Sequence, residues 1–251
     1  MSPPIPIIIV GGAGRMGSSL RELASQDGAG LTVAALVDEG DDLTDAIHQT
    51  GAQCVIDFSV LAQVQTTLSA CAAARVPLVL GTTGLEEADR AALQETAKTL
   101  PVVWAPNFSV GVTALFSLVR DVKAVLGQGW DAEIVESHHR HKVDAPSGTA
   151  RRLAELLMNE HGPSGTTVVG REGLTGPRTR DEVGVSVVRG GDVVGEHEVR
   201  FMAEGEQVVL THRATDRDIF ARGALRAARW VAADGGQEPG LYDMTDVLAG
   251  S

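Results

Sequence analysis

The chain has few cysteines, few aromatic residues and no long apolar run. Its 251 residues include 2 cysteines, 5 phenylalanines, 3 tryptophans and 1 tyrosine. Two cysteines cannot form a disulfide scaffold or a cysteine-rich zinc site. No apolar run approaches the roughly 18 residues that a membrane-spanning helix needs, and Met1–Val10 lacks the basic start of a signal peptide. We therefore expect a cytoplasmic protein with reduced thiols and no membrane association.

Positive charge is also scarce. The formal net charge is −12, from 21 Lys and Arg against 33 Asp and Glu. This balance argues against a nucleic-acid-binding protein, whose contact surface would be basic. The cations are unevenly placed, because residues 108–217 hold 13 of the 21 Lys and Arg and 6 of the 7 histidines. A small anionic ligand therefore remains compatible with the overall negative charge.

Glycine, by contrast, is abundant, with 29 residues. Gly11, Gly14 and Gly17 directly follow the β-branched run Ile7–Val10 and open a helical pattern. In this context glycines permit a tight turn and close approach of the backbone to a pyrophosphate, which the helix N-terminus then binds. The pattern predicts a dinucleotide site, and a tight turn without ligand is the alternative. The predicted cofactor contacts here are Gly11, Gly12, Ala13, Gly14, Arg15 and Met16.

Asp38 follows the second predicted strand, Leu31–Val37. A carboxylate at this place accepts hydrogen bonds from the ribose hydroxyls of a dinucleotide. No Lys or Arg lies near it in the sequence to meet a 2′-phosphate, so the cofactor is NADH or NADPH with NADH favoured. The alternative is a solvated carboxylate in an acidic stretch.

Two later predicted strands end in short polar segments. In open α/β sheets, ligands bind beyond the carboxyl ends of the strands. We expect hydroxyl, amide and aromatic groups of these segments to line a nicotinamide pocket, and ordinary turns are the alternative. The residues are Gly81, Thr82 and Thr83, then Ala105, Pro106, Asn107 and Phe108.

The chain reads as an α/β protein of two domains. Strand and helix patterns alternate over residues 1–107, which predicts a Rossmann-like, doubly wound parallel sheet. Residues 108–217 predict an α+β domain with an open mixed sheet, and residues 218–251 return to the first domain. Residues 162–182 predict a long loop that either closes over an anionic ligand or only connects two elements. Residues 190–197 predict a hairpin turn entering an alternating strand.

The segment Glu136–Thr149 holds three histidines within four residues, next to Arg140 and Lys142. Cations this dense repel one another unless they meet an anion, so a negatively charged ligand is predicted. Such a cluster also suits proton transfer near neutral pH. Two alternatives are a solvated polar loop and a zinc site. The zinc site is disfavoured because adjacent histidines point apart on regular backbone and no familiar ligand spacing is present.

A helical pattern starts directly after this segment. Ser147 or Thr149 is suited to cap its N-terminus. The N–H groups of Gly148 and Thr149, together with Lys142, then predict a carboxylate receptor.

Four segments together resemble one family, in the same order over nearly the whole chain: Val10–Gly17, Gly81–Gly84, Ala105–Phe108 and Glu136–Thr149. They are similar to the signatures of the 4-hydroxy-tetrahydrodipicolinate reductases of the diaminopimelate and lysine pathway. The resemblance implies NAD(P)H-dependent reduction of a cyclic imine dicarboxylate with loss of its 4-hydroxyl as water. Hydride goes to ring carbon 4 and a proton to ring carbon 3.

The resemblance also implies roles for single residues. His138 matches the catalytic proton donor and acceptor, Lys142 the proton donor, and His139, Gly148 and Thr149 the substrate-carboxylate contacts. It implies the same cofactor contacts as above, no metal, and a homotetramer built through the sheet of the second domain. Two features depart from some members: the stretch between Asp38 and Cys54 is short, and Glu39 stands where they carry arginine.

Two other functions are compatible with a dinucleotide-binding domain. A reductase of the aspartate-semialdehyde dehydrogenase type needs an activated cysteine. Cys54 lies in an apolar strand pattern and Cys71 in an Ala-rich helix pattern, so both are predicted core residues. A non-catalytic NAD-sensing regulator would need a DNA-binding element, and the chain offers no basic helix-turn-helix pattern.

Overall fold

The computed structural model describes residues 3–26, 28–158, 166–233 and 236–250. The strands are β1 (Ile5–Val10), β2 (Leu31–Val37), β3 (Cys54–Asp57), β4 (Leu78–Leu80), β5 (Pro101–Trp104), β6 (Asp131–His138), β7 (Thr166–Val169), β8 (Glu182–Arg189), β9 (Gly195–Ala203), β10 (Glu206–Ala214) and β11 (Gly240–Tyr242). The helices are α1 (Arg15–Ala24), α2 (Leu43–Thr50), α3 (Val64–Ala74), α4 (Glu87–Ala97), α5 (Val110–Leu126), α6 (Gly148–Met158), α7 (Asp218–Val231) and α8 (Met244–Ala249).

The chain divides into two compact units. The first comprises Met1–Val110 together with Asp218–Ser251, and the second comprises Gly111–Arg217. Among the described residues, no helix is both long enough and apolar enough to cross a lipid bilayer.

The first unit contains a six-stranded parallel sheet in the order β11-β5-β4-β3-β1-β2. Its interior strand β1 is apolar throughout because both faces of the sheet are covered. Ile7 and Ile9 pack with α1 and α7 on one face, while Ile8 and Val10 pack with α2, α3 and α4 on the other. This doubly wound sheet confirms the predicted fold class. Because β1 lies between β2 and β3, the strand order reverses at its carboxyl end, which is where such sheets bind ligands.

Three elements of the first unit were not predicted. They are α2, α8 and the short edge strand β11. Helix α2 is fixed by its ends: the Asp42 side chain accepts a hydrogen bond from the Asp45 N–H at 3.1 Å, and Gly51 ends the helix in the left-handed region, with φ of 65°. Such short elements carry too few apolar positions for a clear period.

The second unit contains a five-stranded mixed sheet in the order β10-β9-β6-β8-β7. Strand β6 is parallel to β8 and antiparallel to β9. Apolar side chains of α5 and α6, such as Val119 and Leu153, pack with Ile134 and Val199 of the sheet in one core. The open mixed sheet agrees with the sequence-based expectation.

Two local predictions in this unit are wrong. The turn at Gly190–Gly191 does not close a hairpin, because β6 lies between β8 and β9 and pairs with both. A turn sequence indicates only that the chain reverses direction. Which strands then pair depends on where their apolar side chains are best buried. In addition, part of the predicted long loop forms β7, an exposed edge strand parallel to β8. Residues 162–165 of that loop lie outside the described residues.

Candidate active site

The glycine loop joins the carboxyl end of β1 to the start of α1. Gly11 has φ of 80°, which favours glycine. A Cβ at Gly17 would lie 2.3 Å from the Gly11 carbonyl oxygen, so the helix approaches the loop more closely than any other residue allows. A Cβ at Gly14 would meet only that same oxygen, at 3.2 Å. No side chain caps α1 at Gly14, so its N-terminus fits a phosphate group.

The Asp38 carboxylate is hydrogen-bonded to this loop. It accepts hydrogen bonds from the Ala13 N–H at 3.0 and 3.2 Å, while the Asp38 N–H donates to the Asp41 carboxylate at 2.8 Å. A carboxylate has about four acceptor positions, so capacity remains for ribose hydroxyls. Among the described residues, no Lys or Arg forms an ion pair with Asp38.

The segments that follow β4 and β5 lie at the same edge of the parallel sheet. Thr82 is buried, and its hydroxyl oxygen has no hydrogen-bond partner within the described part of the chain. Its carbonyl accepts a hydrogen bond from Trp104 Nε1 at 3.3 Å. Thr83 and Pro106 are exposed, Ala105 is buried, and the Asn107 side chain accepts a hydrogen bond from the Ser109 N–H at 2.8 Å.

The expectation that the ring of Phe108 lines a nicotinamide pocket does not agree with the structure. The ring is buried in the core of the first unit and meets the edge of Phe58 with centroids 5.4 Å apart. Gly81 makes room for this pair, since a Cβ there would lie 2.2 Å from the Phe58 ring. A ligand at this edge would therefore meet the backbone of Phe108.

Sequence analysis missed Asp57, the last residue of β3. Asp57 is fully buried, and one carboxylate oxygen accepts a hydrogen bond from the Ser59 N–H at 2.8 Å. The other oxygen has no partner among the described residues. The signal that could have identified Asp57 is its place as an acidic residue at the end of a predicted buried strand.

In the second unit, β6 carries the main cluster of titratable residues. Alternate residues of this strand point inward, so Ile134, Glu136 and His138 are buried. The sheet register sets Glu136 opposite His197 of β9 and His138 opposite Arg189 of β8. Both histidines are buried, and their rings meet edge to face with centroids 5.1 Å apart.

The Glu136 carboxylate is the centre of a hydrogen-bond network. It accepts a short hydrogen bond from His138 Nδ1 and two hydrogen bonds of 2.9 Å from Arg189. It also accepts one from the Ser147 N–H at 3.0 Å. The Ser147 hydroxyl lies 3.1 Å from His197 Nε2 and accepts the Ala150 N–H at 3.2 Å, so Ser147 caps α6.

This environment sets the charges of the three buried groups. Burial lowers the pKa of His138, and its contact with Glu136 opposes that effect. Burial would raise the pKa of Glu136, but the hydrogen bonds from Arg189, Ser147 and His138 lower it below the ordinary value. Burial and the nearby His138 charge lower the pKa of His197 to about 4. At neutral pH, Glu136 is therefore ionised and His197 is neutral.

Glu136, His138 and His197 bring three potential metal-ligand atoms within 4.8 Å of one another. This is not the set of three neighbouring histidines considered from the sequence, because His138 is the only member of that set in this group. The Glu136 oxygens already accept from a guanidinium, a ring N–H and a backbone N–H. A cation would have to displace these donors, so the chemistry of the group fits proton transfer better than metal binding.

A second, more exposed group of cations surrounds His139. Its Nε2 lies 3.0 Å from Arg217 Nη2, and its pKa is lowered by partial desolvation and then by the charges of Arg217, His141, Lys142 and Arg189. Lys142 Nζ lies 2.7 Å from the Asp144 carboxylate. Sequence analysis missed Arg217, since it lies after β10, far from the histidine segment along the chain.

The N-terminus of α6 completes this group. Gly148 and Thr149 are its first residues, and a Cβ at Gly148 would meet nothing within 4 Å. Arg189 Nη2 also donates to the Asp144 carbonyl at 2.7 Å, which ties the segment before α6 to β8. The N-terminus of this helix and the adjacent cations form a suitable receptor for carboxylate groups.

Two protein-family models match almost the whole chain. One, described as "Dihydrodipicolinate reductase, N-terminus", covers residues 5–108, and the other, "Dihydrodipicolinate reductase, C-terminus", covers residues 111–248. The chain belongs to the dihydrodipicolinate reductase family. Curated members named 4-hydroxy-tetrahydrodipicolinate reductase include one from Akkermansia muciniphila, 46% identical over 97% of this chain and 98% of that protein. Another, from Thiobacillus denitrificans, is 45% identical with the same coverage.

Solved structures share the fold. A dipicolinate-bound dihydrodipicolinate reductase from Paenisporosarcina sp. TG-14 has a TM-score of 0.77 at 22% identity, covering 96% of this chain and 97% of that chain. GenD2 from gentamicin A biosynthesis, in complex with NAD, has a TM-score of 0.55 at 15% identity, covering 100% of this chain and 92% of that chain.

In this family member, the two thiols are core residues as predicted. Cys54 and Cys71 are both completely buried. Burial raises the pKa of each thiol, so neither has the environment of an activated nucleophile.

Two arginines of the predicted 162–182 loop have partners within their own unit. Arg171 donates to Glu133 at 2.7 and 3.0 Å and to Glu182 at 2.6 Å. Arg178 donates to Glu133 at 3.1 Å and to Asp131 at 2.7 Å. These ion pairs tie the segment to β6 and β8.

Proposed function

We propose that this protein reduces 4-hydroxy-tetrahydrodipicolinate to tetrahydrodipicolinate with a reduced nicotinamide dinucleotide, releasing water in the diaminopimelate and lysine pathway. The observation that carries the proposal is the joint placement of buried His138, Lys142 and the N-terminus of α6. The names of relatives at 46% and 45% identity support the same reaction.

The substrate carries two carboxylates, and the second unit offers two kinds of anion receptor. The N–H groups of Gly148 and Thr149 at the start of α6 receive one carboxylate. Lys142 and Arg217 provide cationic contacts for the substrate, and His139 provides a polar contact. Lys142 exchanges its present partner Asp144 for the substrate, which costs little because that pair is partly exposed.

Proton movement is assigned to His138 and Lys142. The net reaction consumes one hydride and one proton and releases one water. When bound, the reduced nicotinamide supplies the hydride to ring carbon 4. His138 transfers protons to and from the substrate through its ring nitrogen, and the Lys142 ammonium donates the proton that ring carbon 3 receives.

We propose that NADH is preferred over NADPH. The support is Asp38, which has no cationic partner among the described residues and lies directly before Glu39. A 2′-phosphate would add negative charge next to these two carboxylates. The test compares KM values of the two cofactors. Equal values would contradict the preference, and Asp38→Ala should raise the KM for NADH more than that for NADPH.

We also propose a homotetramer assembled through the sheet of the second unit, and a cytoplasmic location in keeping with two free thiols. Val188 of β8 and Val209 of β10 are 50% and 41% exposed, which a partner surface would cover. Light scattering during gel filtration measures the assembly, and a monomer at micromolar concentration would contradict it.

The reaction is tested by NADH oxidation in a coupled assay. A synthase generates the substrate in situ from pyruvate and aspartate semialdehyde. Oxidation that requires the synthase and both of its substrates supports the proposal. A protein that binds NADH without turnover would instead fit a sensing role, and oxidation with aspartate semialdehyde alone would fit a different reductase.

A further inference from the structure

We propose that Glu136 is a positioning residue that holds the proton of neutral His138 on Nδ1 and leaves Nε2 as the nitrogen that exchanges protons with the substrate. The inference rests on the proposed role of His138. It adds a residue that does not itself touch the substrate but determines which ring nitrogen reacts.

The Glu136 carboxylate is saturated with hydrogen-bond donors. It is fully buried and accepts from His138 Nδ1, from the Ser147 N–H and twice from Arg189. These four donors account for the roughly four acceptor positions of a carboxylate. A proton on either oxygen would face one of these donors, so the group is built to remain an acceptor.

This carboxylate determines the tautomer of His138. A nitrogen that faces an acceptor-only carboxylate must carry its proton, and the hydrogen bond of one ring nitrogen determines the state of the other. Nδ1 therefore keeps its proton in both charge states of the ring. Nε2 carries a proton only in the imidazolium, and that proton is the one the ring transfers and regains.

The absence of a side chain at Gly195 leaves space beside Nε2 of His138. A Cβ at Gly195 of β9 would lie 3.1 Å from His138 Nε2 and 3.3 Å from Cδ2 of the same ring. Glycine at this position thus leaves the reactive nitrogen uncovered on that side. Glu136 and Gly195 act on opposite nitrogens of one ring, the first by holding Nδ1 and the second by leaving room at Nε2.

The titratable groups that face His138 come from four parts of the second unit. Glu136 of β6 is anionic, Arg189 of β8 and Lys142 of the following segment are cationic, and His197 of β9 is neutral. Arg189 pairs with the same carboxylate, so the carboxylate is neutralised while it still accepts from the ring. Glu136 therefore orients the ring without fixing it in the charged form.

The kinetic test compares Glu136→Gln with the matched control Glu133→Gln. Both glutamates lie on β6 and both accept from arginines, but Glu133 pairs with Arg171 and Arg178. We expect Glu136→Gln to lower kcat about 100-fold, with the KM for NADH unchanged. Glu133→Gln should keep kcat within about twofold, as expected for a loss outside the proton-transfer group.

The pH profile separates positioning from a merely structural role. Without the carboxylate, Arg189 and Lys142 disfavour the imidazolium, so the fall of kcat at high pH should move to lower pH in Glu136→Gln. Glu133→Gln should leave the profile in place. If folded Glu136→Gln has the kcat and the pH profile of the wild-type protein, the proposal is overturned.

The wild-type protein supplies a test that does not depend on the folding of a variant. Nitrogen-15 NMR of labelled histidine distinguishes the two neutral tautomers. We expect neutral His138 with its proton on Nδ1, and a proton on Nε2 instead would overturn the inference. If the proton is on Nε2 and the protein still turns over substrate, the inference about Glu136 is wrong but the proposed function holds. If the protein does not turn over substrate, the proposed function itself is wrong.

Discussion

Arg189 and Glu136 form a bidentate ion pair, with two N–O distances of 2.9 Å. They lie on neighbouring parallel strands, and Glu136 is completely buried. Buried ion pairs contribute little net stability because both groups lose their hydration. The pair is better explained by what it holds in place: His138, the start of α6 and the segment that carries Lys142. The candidate site thus extends beyond the histidine segment to residues of β8 and β9.

Replacing His138 should affect turnover more than binding. We expect His138→Gln to lower kcat by about 100-fold to 10,000-fold with little change in the KM for substrate, since proton transfer acts in the transition state. Steady-state kinetics of NADH oxidation measure both constants. His48→Gln, a change on the exposed side of α2, is the control. An unchanged kcat would remove His138 from proton transfer.

Replacing Lys142 should affect both turnover and substrate binding. We expect Lys142→Ala to lower kcat and to raise the KM for substrate by about tenfold, because a charge-assisted contact of about 1.5 kcal/mol or more is lost. The KM for NADH should stay the same. Lys98→Ala removes an exposed lysine paired with Glu95 in the other unit and serves as the control. A normal substrate KM in Lys142→Ala would contradict the carboxylate contact.

Two glycines of the cofactor loop should respond differently to alanine. A Cβ at Gly17 would lie 2.3 Å from the Gly11 oxygen, so Gly17→Ala should lower the melting temperature and abolish NADH binding. Gly14→Ala meets one oxygen at 3.2 Å and should leave the melting temperature nearly unchanged while raising the Kd for NADH. Thermal unfolding and NADH titration check both. Equal melting temperatures for the two variants would refute this geometry.

Acid should destabilise the protein through His197. Burial lowers its pKa to about 4 from the ordinary value of 6.5, so between these values the unfolded chain binds the proton and the folded chain does not. Its contribution is fully present above about pH 6.5 and is lost as the pH falls towards 4, on the order of 3 kcal/mol in total.

Denaturant unfolding at a series of pH values measures this loss. His197→Gln should flatten the dependence of unfolding free energy on pH in that window, and His48→Gln should not. His138, His139 and His212, whose pKa values are also lowered, contribute to the slope that remains. Towards pH 4, Glu133, Glu136 and Glu182 contribute too, because hydrogen bonds to them lower their pKa values. An identical slope in His197→Gln and wild type would contradict the assignment.

The fold class was predictable because its signals are local and repeated. The run Ile7–Val10 marks a strand buried on both faces, and the glycines after it mark the turn into α1. Both sheets followed from such patterns. The strand order around β8 and β9 was not predictable from such patterns. Strand β6 lies between them, and this long-range pairing is not encoded in the turn sequence that joins them.

The candidate site was predictable only in part, for a similar reason. The sequence brings His138, Lys142 and Gly148 together within one short segment. Three further residues join this segment from β8, β9 and the end of β10: Arg189, His197 and Arg217. Their spacing along the chain does not predict that they lie near it. Phe108 was predicted to contact the ligand because it follows a strand at the expected sheet edge, but its ring is buried in the core.

The most direct test of the proposed reaction follows the hydride and the proton by isotope. The coupled reaction is run with NADH that carries deuterium at the transferred position, and separately with ordinary NADH in deuterated water. NMR of the product should show cofactor-derived deuterium at ring carbon 4 and solvent-derived deuterium at ring carbon 3. Absence of NADH oxidation, or cofactor-derived deuterium at any other carbon, would contradict the proposed function.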